Sequence, residues 1–313
     1  MKTIAKALLL MVLILSISSF FLVKPDVSFA FLRDQYTNNS SQFVEVHGMN
    51  IHYRVQGKGD QVLLLLHGTG ASLHTWEGWV SVMQDSFTVV TLDLPAFGLT
   101  GPHPDGDYSM EAYVAFLDEF IDKIKLDRFS ICGNSLGGGI AWNYAATYPE
   151  RVEGMVLIDA SGYPTVNQIG IFQLAKNPII APMIKYITPR KLIAKNLMEV
   201  YADDSKVTEK LVDRYFYLAR RAGNRQAFID RARTIMDYNT SLIQTINIPT
   251  LIMWGAEDKW TDASHAEIFS ENLPIDTVII YEDLGHVPME EDPIRTARDA
   301  SHFLRKLSQN LSL

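Results

Sequence analysis

Three residues of this 313-residue chain stand at turn positions where they could activate a weak nucleophile. Ser135 lies in Gly133-Asn134-Ser135-Leu136-Gly137, after an apolar run at 128–132 and before a stretch at 138–146 that reads as a helix ending ahead of Pro149. Strand, tight turn and helix, with Gly-x-Ser-x-Gly at the turn, hold a hydroxyl at the tip of the turn. The glycines remove side chains that would collide with a strained serine backbone. A serine hydroxyl is a poor nucleophile at neutral pH and needs a positioned base. His286, in Leu284-Gly285-His286-Val287-Pro288, can serve as one. A carboxylate must then orient that histidine and stabilise its charged form. Asp258, in Gly255-Ala256-Glu257-Asp258, is the first choice and Asp159 the rival. An oxyanion would need two N–H donors. Leu136 offers one, and Thr69, in His67-Gly68-Thr69-Gly70, offers the second, with Gly70 as its alternative.

The elements that must position these residues follow in order. Residues 42–47 and 51–56 alternate like paired strands joined through Gly48-Met49-Asn50. Residues 61–66 form a continuous apolar run, as expected of a strand buried on both faces, and lead into His67. A helix is expected at 76–83, a strand at 87–92 and a helix at 109–125, with Ser109 as its N-cap. The strand at 152–158 ends at Asp159. Alternation returns at 250–254, 263–272, 277–281 and 293–307. The pattern predicts an α/β fold whose sheet is mostly parallel with an antiparallel start. Ligands of such sheets bind beyond the carboxyl ends of the strands, where all the residues named above fall. Between 163 and 247 the alternation stops. Helical runs at 174–186, 190–200, 208–222 and 225–236, with prolines at 164, 178, 182 and 189, describe a helical insertion. It leaves from the same sheet edge and would lie over Ser135 as a cap. The division expected is an N-terminal segment (1–30), a linker (31–41), a core (42–162 and 248–313) and the cap (163–247).

Composition narrows the partners. A net charge of −8 without basic runs argues against a nucleic-acid partner. The single cysteine, Cys132, allows no intrachain disulfide and reads as a small core residue. No metal-binding spacing occurs, and neither metal nor cofactor is expected. Lys2 and Lys6 precede an apolar run at 7–23 followed by Lys24-Pro25. This is a targeting or membrane segment. As a signal peptide it offers Ser28-x-Ala30 for cleavage; as an anchor, its ~17 residues reach about 25 Å in a helix. Either reading puts the catalytic body outside the cytoplasm, membrane-anchored or secreted, and the anchor reading adds membrane association through residues 7–23.

Taken together, His67-Gly68-Thr69-Gly70, Asp93-Leu94-Pro95-Ala96-Phe97-Gly98, Gly133-Asn134-Ser135-Leu136-Gly137-Gly138, Gly255-Ala256-Glu257-Asp258 and Gly285-His286 resemble, in order, the motifs of capped α/β-hydrolase-fold serine enzymes of the esterase and lipase type. The resemblance spans residues 42–310. It implies an eight-stranded sheet and a cofactor-independent hydrolase acting through a serine-bound acyl intermediate. Haloalkane dehalogenases and epoxide hydrolases of this superfamily carry aspartate where this chain has Ser135. Carbon–carbon-bond hydrolases of aromatic degradation share Gly-Asn-Ser, but typically have a more glycine-rich oxyanion loop and a tryptophan after the catalytic histidine. Here Thr69-Gly70-Ala71 and Val287 stand instead. A carboxylic ester with an apolar acyl part is therefore the first expectation, supported by the apolar cap residues Ile169, Ile171, Phe172, Leu174, Ile179 and Ile180. The alternatives are a carbon–carbon hydrolase, a haloperoxidase-like member and a silent binding module of the same fold. Within this frame His67 should shape its loop, Asp93 its own turn and Asp283 a local contact; Glu257 should face away. His74, His103 and His265 read as surface or loop positions.

Overall fold

A computed structural model describes residues 23–164 and 170–311. Eight strands form one sheet: β1 (Ser41–Val46), β2 (Met49–Gln56), β3 (Gln61–Leu66), β4 (Phe87–Leu92), β5 (Phe129–Asn134), β6 (Val152–Ile158), β7 (Thr250–Gly255) and β8 (Asp276–Tyr281). Their order is β1-β2-β4-β3-β5-β6-β7-β8. β2 runs against β1 and β4, and every other pairing is parallel. The opening hairpin turns on two residues, His47 and Gly48, at φ 47 and 73. Positive φ at both positions matches the twist of paired strands, so the turn is one residue tighter than the expected connection.

Side chains of the central strands alternate between two cores. Leu64, Leu66 and Ile131 pack with α3 (Met110–Lys123) and α4 (Leu136–Thr147). Leu63, Leu65 and Cys132 pack with α2 (Glu77–Met83) and α12 (Pro293–Leu311). Helices on both faces explain why these strands read as unbroken apolar runs. Ser109 caps α3 as expected, its Oγ accepting the Ala112 N–H at 3.2 Å. The link from β3 runs through α2 on one face, and the link from β5 through α4 on the other. The crevice between their departures, at the carboxyl ends, is where such sheets bind ligands.

Between β6 and β7 lie α5 (Gly170–Lys176), α6 (Ala181–Ile184), α7 (Arg190–Val200), α8 (Glu209–Ala219) and α9 (Asn224–Arg233). The single run expected at 174–186 is two short helices. Pro178 lacks an N–H to continue α5, and the Asn177 side-chain oxygen Oδ1 accepts the Ile179 and Ile180 N–H groups to start the next turn. The hydroxyls of Tyr201 and Tyr215 donate to Glu290 in α11 (Pro288–Glu291), tying this region to the sheet.

The expected linker at 31–41 is corrected. Phe29–Tyr36 form α1, capped by Ser28, and β1 already starts at Ser41. Leu32 is fully buried with Leu99 and Leu218, so three apolar residues from distant parts of the chain override the local polarity. Ahead of α1, Val27 bridges to Arg221, and Lys24 N–H donates to the Tyr186 carbonyl at 2.8 Å. Most of the segment read as a signal or anchor, residues 1–22, lies outside the described residues, as does Ile169. Among the described residues no helix is long and apolar enough to cross a membrane.

Candidate active site

Ser135 sits between β5 and α4 at φ 53, ψ −117, outside the backbone regions a serine prefers. Its N–H donates to the Ile158 carbonyl at 3.0 Å, and its carbonyl accepts from Gly139 and Ser161, both at 3.0 Å. Those bonds over-determine the strained angle. A Cβ on Gly133 would lie 2.1 Å from the Gly137 carbonyl oxygen, and one on Gly137 2.2 Å from that of Leu66. Only glycines allow strand, turn and helix to close this tightly. Leu136 is the first residue of α4, so its N–H has no carbonyl partner within the helix.

His286 follows β8 and is 3% exposed. Its Nδ1–H donates to Asp258 Oδ2 at 2.7 Å. Asp258 is fixed in turn, since Oδ1 accepts the N–H groups of Trp260 (2.7 Å) and Thr261 (3.0 Å). With Nδ1 as the donor, Nε2 of the neutral ring is an acceptor. Three further contacts hold the histidine loop. His286 N–H donates to the Val200 carbonyl at the end of α7, Asn134 Nδ2 donates to the His286 carbonyl at 2.9 Å, and Gly285 N–H donates to Glu291 Oε1 at 2.6 Å. The other oxygen of Glu291 accepts from Ala202 and Asp203, so one carboxylate links the loop to the chain after α7. Glu291 and Trp260, whose ring centroid is 5.5 Å from that of His286, are not among the residues that sequence reasoning singled out, and Asn134 was given no role of its own. Asn134 alone was visible, as the residue between the elbow glycine and the serine.

Asp159, the rival carboxylate, is fully buried. Its nearest oxygen, the nearest oxygen of Asp258 and the nearest ring nitrogen of His286 lie within 4.8 Å of one another. One Asp159 oxygen accepts the Gly255 N–H at 3.0 Å, and Oδ2 has no partner. Burial first, and the adjacent Asp258 carboxyl second, push the Asp159 carboxyl well above the usual carboxylate range. The bond to His286 Nδ1 belongs to Asp258.

Ser135 and His286 line one cavity together with Gly68, Thr69 and Gly70. The walls above them are apolar and come from the helical region: Ile171 and Phe172 of α5, Ile184 of α6, and Leu192, Ile193 and Leu197 of α7. Of the apolar residues expected to face substrate, Ile171 and Phe172 line this cavity, whereas Ile179 is 79% exposed and points outward.

The remaining expectations divide. His67 Nδ1 donates to the Gly68 carbonyl at 2.7 Å while Nε2 accepts the Leu94 N–H, which fixes the loop carrying Thr69. Asp93 does more than fix its own turn, for it accepts N–H groups of both Leu73 and Leu99 at 2.8 Å. Asp283 pairs with Arg295 at 2.6 Å, and Glu257 is exposed. His74 and His265 are buried, at 5% and 7% exposure, contrary to the surface reading. His74 is held between Ser72 and the Tyr36 carbonyl; burial and the Arg54 guanidinium push its imidazole down to about 3, so it stays neutral.

Comparison with known proteins agrees with this architecture. A solved membrane phospholipase A, described as a bacterial virulence factor, is 28% identical and superimposes with a TM-score of 0.73 over 98% of this chain and 99% of its own. A meta-cleavage product hydrolase from Pseudomonas fluorescens IP01 is 25% identical, with a TM-score of 0.75 over 85% of this chain and 97% of its own. Lipase 3 of Moraxella sp. (strain TA144) is 28% identical over 255 residues, covering 77% of this chain and 76% of that one. Residues 61–293 match the family model described as the alpha/beta hydrolase fold, and the chain belongs to that family.

Proposed function

We propose that the protein hydrolyses carboxylic esters with an apolar acyl part, using Ser135 as nucleophile, His286 as base and Asp258 as the orienting acid. The observation that carries this reading is the buried His286–Asp258 pair at 2.7 Å, on the same apolar-walled cavity as Ser135 at its strained elbow. In the first step Nε2 of His286 takes the Ser135 proton and Oγ attacks the ester carbonyl. The N–H groups of Leu136 and Thr69 receive the oxyanion; removing one such donor costs about 3–4 kcal/mol of transition-state stabilisation. His286 then protonates the leaving alcohol, giving the acyl-enzyme. Water, deprotonated by His286, attacks it and releases the acid. Asp258 stays ionised throughout, stabilising the imidazolium.

The similarity to a lipase and to a membrane phospholipase supports an ester substrate, as does the apolar lining contributed by α5, α6 and α7. The similarity to a meta-cleavage product hydrolase supports a second reading, cleavage of a carbon–carbon bond in a vinylogous diketone by the same residues. An ester panel of rising acyl length, run beside a vinylogous 1,5-diketone, separates them. Ester turnover that rises with acyl length and is lost in Ser135→Ala supports the first reading; diketone turnover without ester turnover overturns it. Absence of both, with no fluorophosphonate adduct, would mark a silent binding module.

For the N-terminus the anchor reading fits the docked arm best. Cleavage after Ala30 would remove Asp26, which pairs with Arg225 at 2.6 Å, and Val27, which bridges to Arg221. The reading keeps residues 1–22 on the protein and the catalytic body outside the cytoplasm. The mass of the native protein tests it.

A further inference from the structure

We propose that the outward face of α6 and its flanking turns is a bilayer-contact surface, on which Ile179, Met183 and Tyr186 enter the headgroup layer of an anionic membrane and the surrounding lysines meet its phosphates. Hydrogen bonds from 181 to 177, 184 to 180 and 187 to 183 extend the helical path on both sides of α6. Residues 179, 183 and 186 therefore share one face. They are 79%, 52% and 58% exposed. Single exposed apolar residues are ordinary, but three on one helical face need a partner. Ile184 and Ile187, from the same path, line the cavity that holds Ser135. One helical layer thus separates the outer apolar face from the cavity.

Charge points to lipid as that partner. From 160 to 198 the chain has no Asp or Glu, yet carries Lys176, Lys185, Arg190, Lys191 and Lys195, in a protein of net charge −8; of these, Arg190 pairs with Glu209 and Asp213, and Lys195 with Glu199. A basic, apolar-faced helical segment is the pattern of an interfacial element attracted to anionic leaflets. The path of the chain points the same way. Val23, exposed, ends the apolar run of residues 7–23, and the next residue, Lys24, donates its N–H to the Tyr186 carbonyl at 2.8 Å. The described chain therefore begins, at Val23 and Lys24, beside Tyr186 of the exposed face. The surface does not depend on the ester reading; it would bring any lipid-dissolved substrate to the wall of the cavity.

The full-length chain tests this directly. Its only cysteine, Cys132, is buried with its thiol pushed up by burial, so a cysteine introduced at the surface is labelled selectively. Met183→Cys and Ile179→Cys, carrying an environment-sensitive nitrobenzoxadiazole label, are incorporated into phosphatidylcholine vesicles containing phosphatidylglycerol. The control is Lys58→Cys, exposed just ahead of β3 at the opposite end of the sheet. Labels at 183 and 179 should shift to shorter wavelength and be quenched by doxyl-labelled lipid, while the label at 58 should do neither. Exchanging Lys176, Lys185 and Lys191 for Glu should lower the quenching at 183 several-fold and leave hydrolysis of a soluble short-chain ester unchanged. A label at 183 as wet as that at 58 overturns the proposal. Quenching at 183 that is indifferent to both phosphatidylglycerol content and the lysine exchange overturns the role given to charge.

Discussion

Two serine–histidine–aspartate arrays lie among the described residues, one beside the carboxyl end of β4 and the other beyond those of β5, β7 and β8. In one, His52 Nδ1 meets Asp93 Oδ2 at 2.8 Å and His52 Nε2 meets Ser41 Oγ at 2.9 Å. In the other, His286 meets Asp258 at 2.7 Å beside Ser135. By distance alone the first is the more complete. It is nevertheless built to stay still. Ser41 Oγ also takes hydrogen bonds from the Asn38 N–H (3.1 Å) and the Arg54 guanidinium (3.2 Å). Asp93 holds two backbone N–H groups, His52 stacks on Phe43 at 5.1 Å, and neither Ser41 nor His52 lines the cavity. Around Ser135 the balance is reversed: a strained backbone, a helix-first N–H without an intrahelical partner, and space for a substrate. What separates the arrays is the set of bonds left unmade.

This contrast can be broken experimentally. Ser135→Ala should cut ester turnover by about 10⁶ and abolish the fluorophosphonate adduct, while Ser41→Ala keeps both; an adduct on Ser41 would erase the distinction. Asp258→Asn should lower kcat by about 10⁴, and Asp159→Asn far less, since the latter does not hold His286; kinetics of the two variants side by side decide the acid. Asp93→Asn should destabilise the fold by about 3 kcal/mol at neutral pH, as expected when a buried pair is broken, with the kcat of the folded fraction retained. Burial alone would raise the Asp93 carboxyl, but the charge and hydrogen bond of His52 outweigh it and hold the group well below its ordinary 3.8. That contribution is full above 3.8 and is lost as the pH falls below it, so urea midpoints of parent and variant should converge in acid. Asp159 carries the opposite sign. Its folded carboxyl is raised, so its contribution is present below 3.8 and lost as the pH climbs above it. Asp159→Asn should therefore gain on the parent as the pH rises, the smallest of these effects; parallel trends for the two aspartates would show that they do not differ in charge.

The parts of the fold that were legible in the sequence are those where local pattern and tertiary role coincide. β3 and β6 lie between helical layers, so their apolar runs stood out at full length, and the glycines around Ser135 are needed by contacts within the elbow and to β3. Motif order put Asp258 and His286 at one sheet edge, and the structure pairs them there at 2.7 Å. Three misreadings have a different origin. α1 looks like a linker until Leu218 is placed against Leu32. His74 looks like a loop residue until the Arg54 side chain from β2 closes over it, Nη2 at 3.0 Å from Nε2. Ile179 and Ile184 are equally apolar, and only packing tells which faces the cavity. Glu291 belongs here too: a carboxylate in a short acidic helix gives no local sign that it bridges Gly285 to residues 202 and 203.

The direct pairing of β6 with β7, Ile158 beside Met253, has an engineering meaning. The helical region leaves from the carboxyl end of β6, and the chain returns by way of residues 240–245 to the amino end of its parallel neighbour β7. Loop-closure entropy grows only about 0.6 kcal/mol for each doubling of length, so the sheet is nearly indifferent to what is inserted there. The region can be exchanged as a cassette for that of a relative, provided the replacement supplies a carbonyl where Val200 now receives the His286 N–H. The shape of the pocket would thereby be separable from the sheet below it: one scaffold, many pockets, joined to the His286 loop through the Val200 carbonyl and through the Ala202 and Asp203 N–H groups that Glu291 holds.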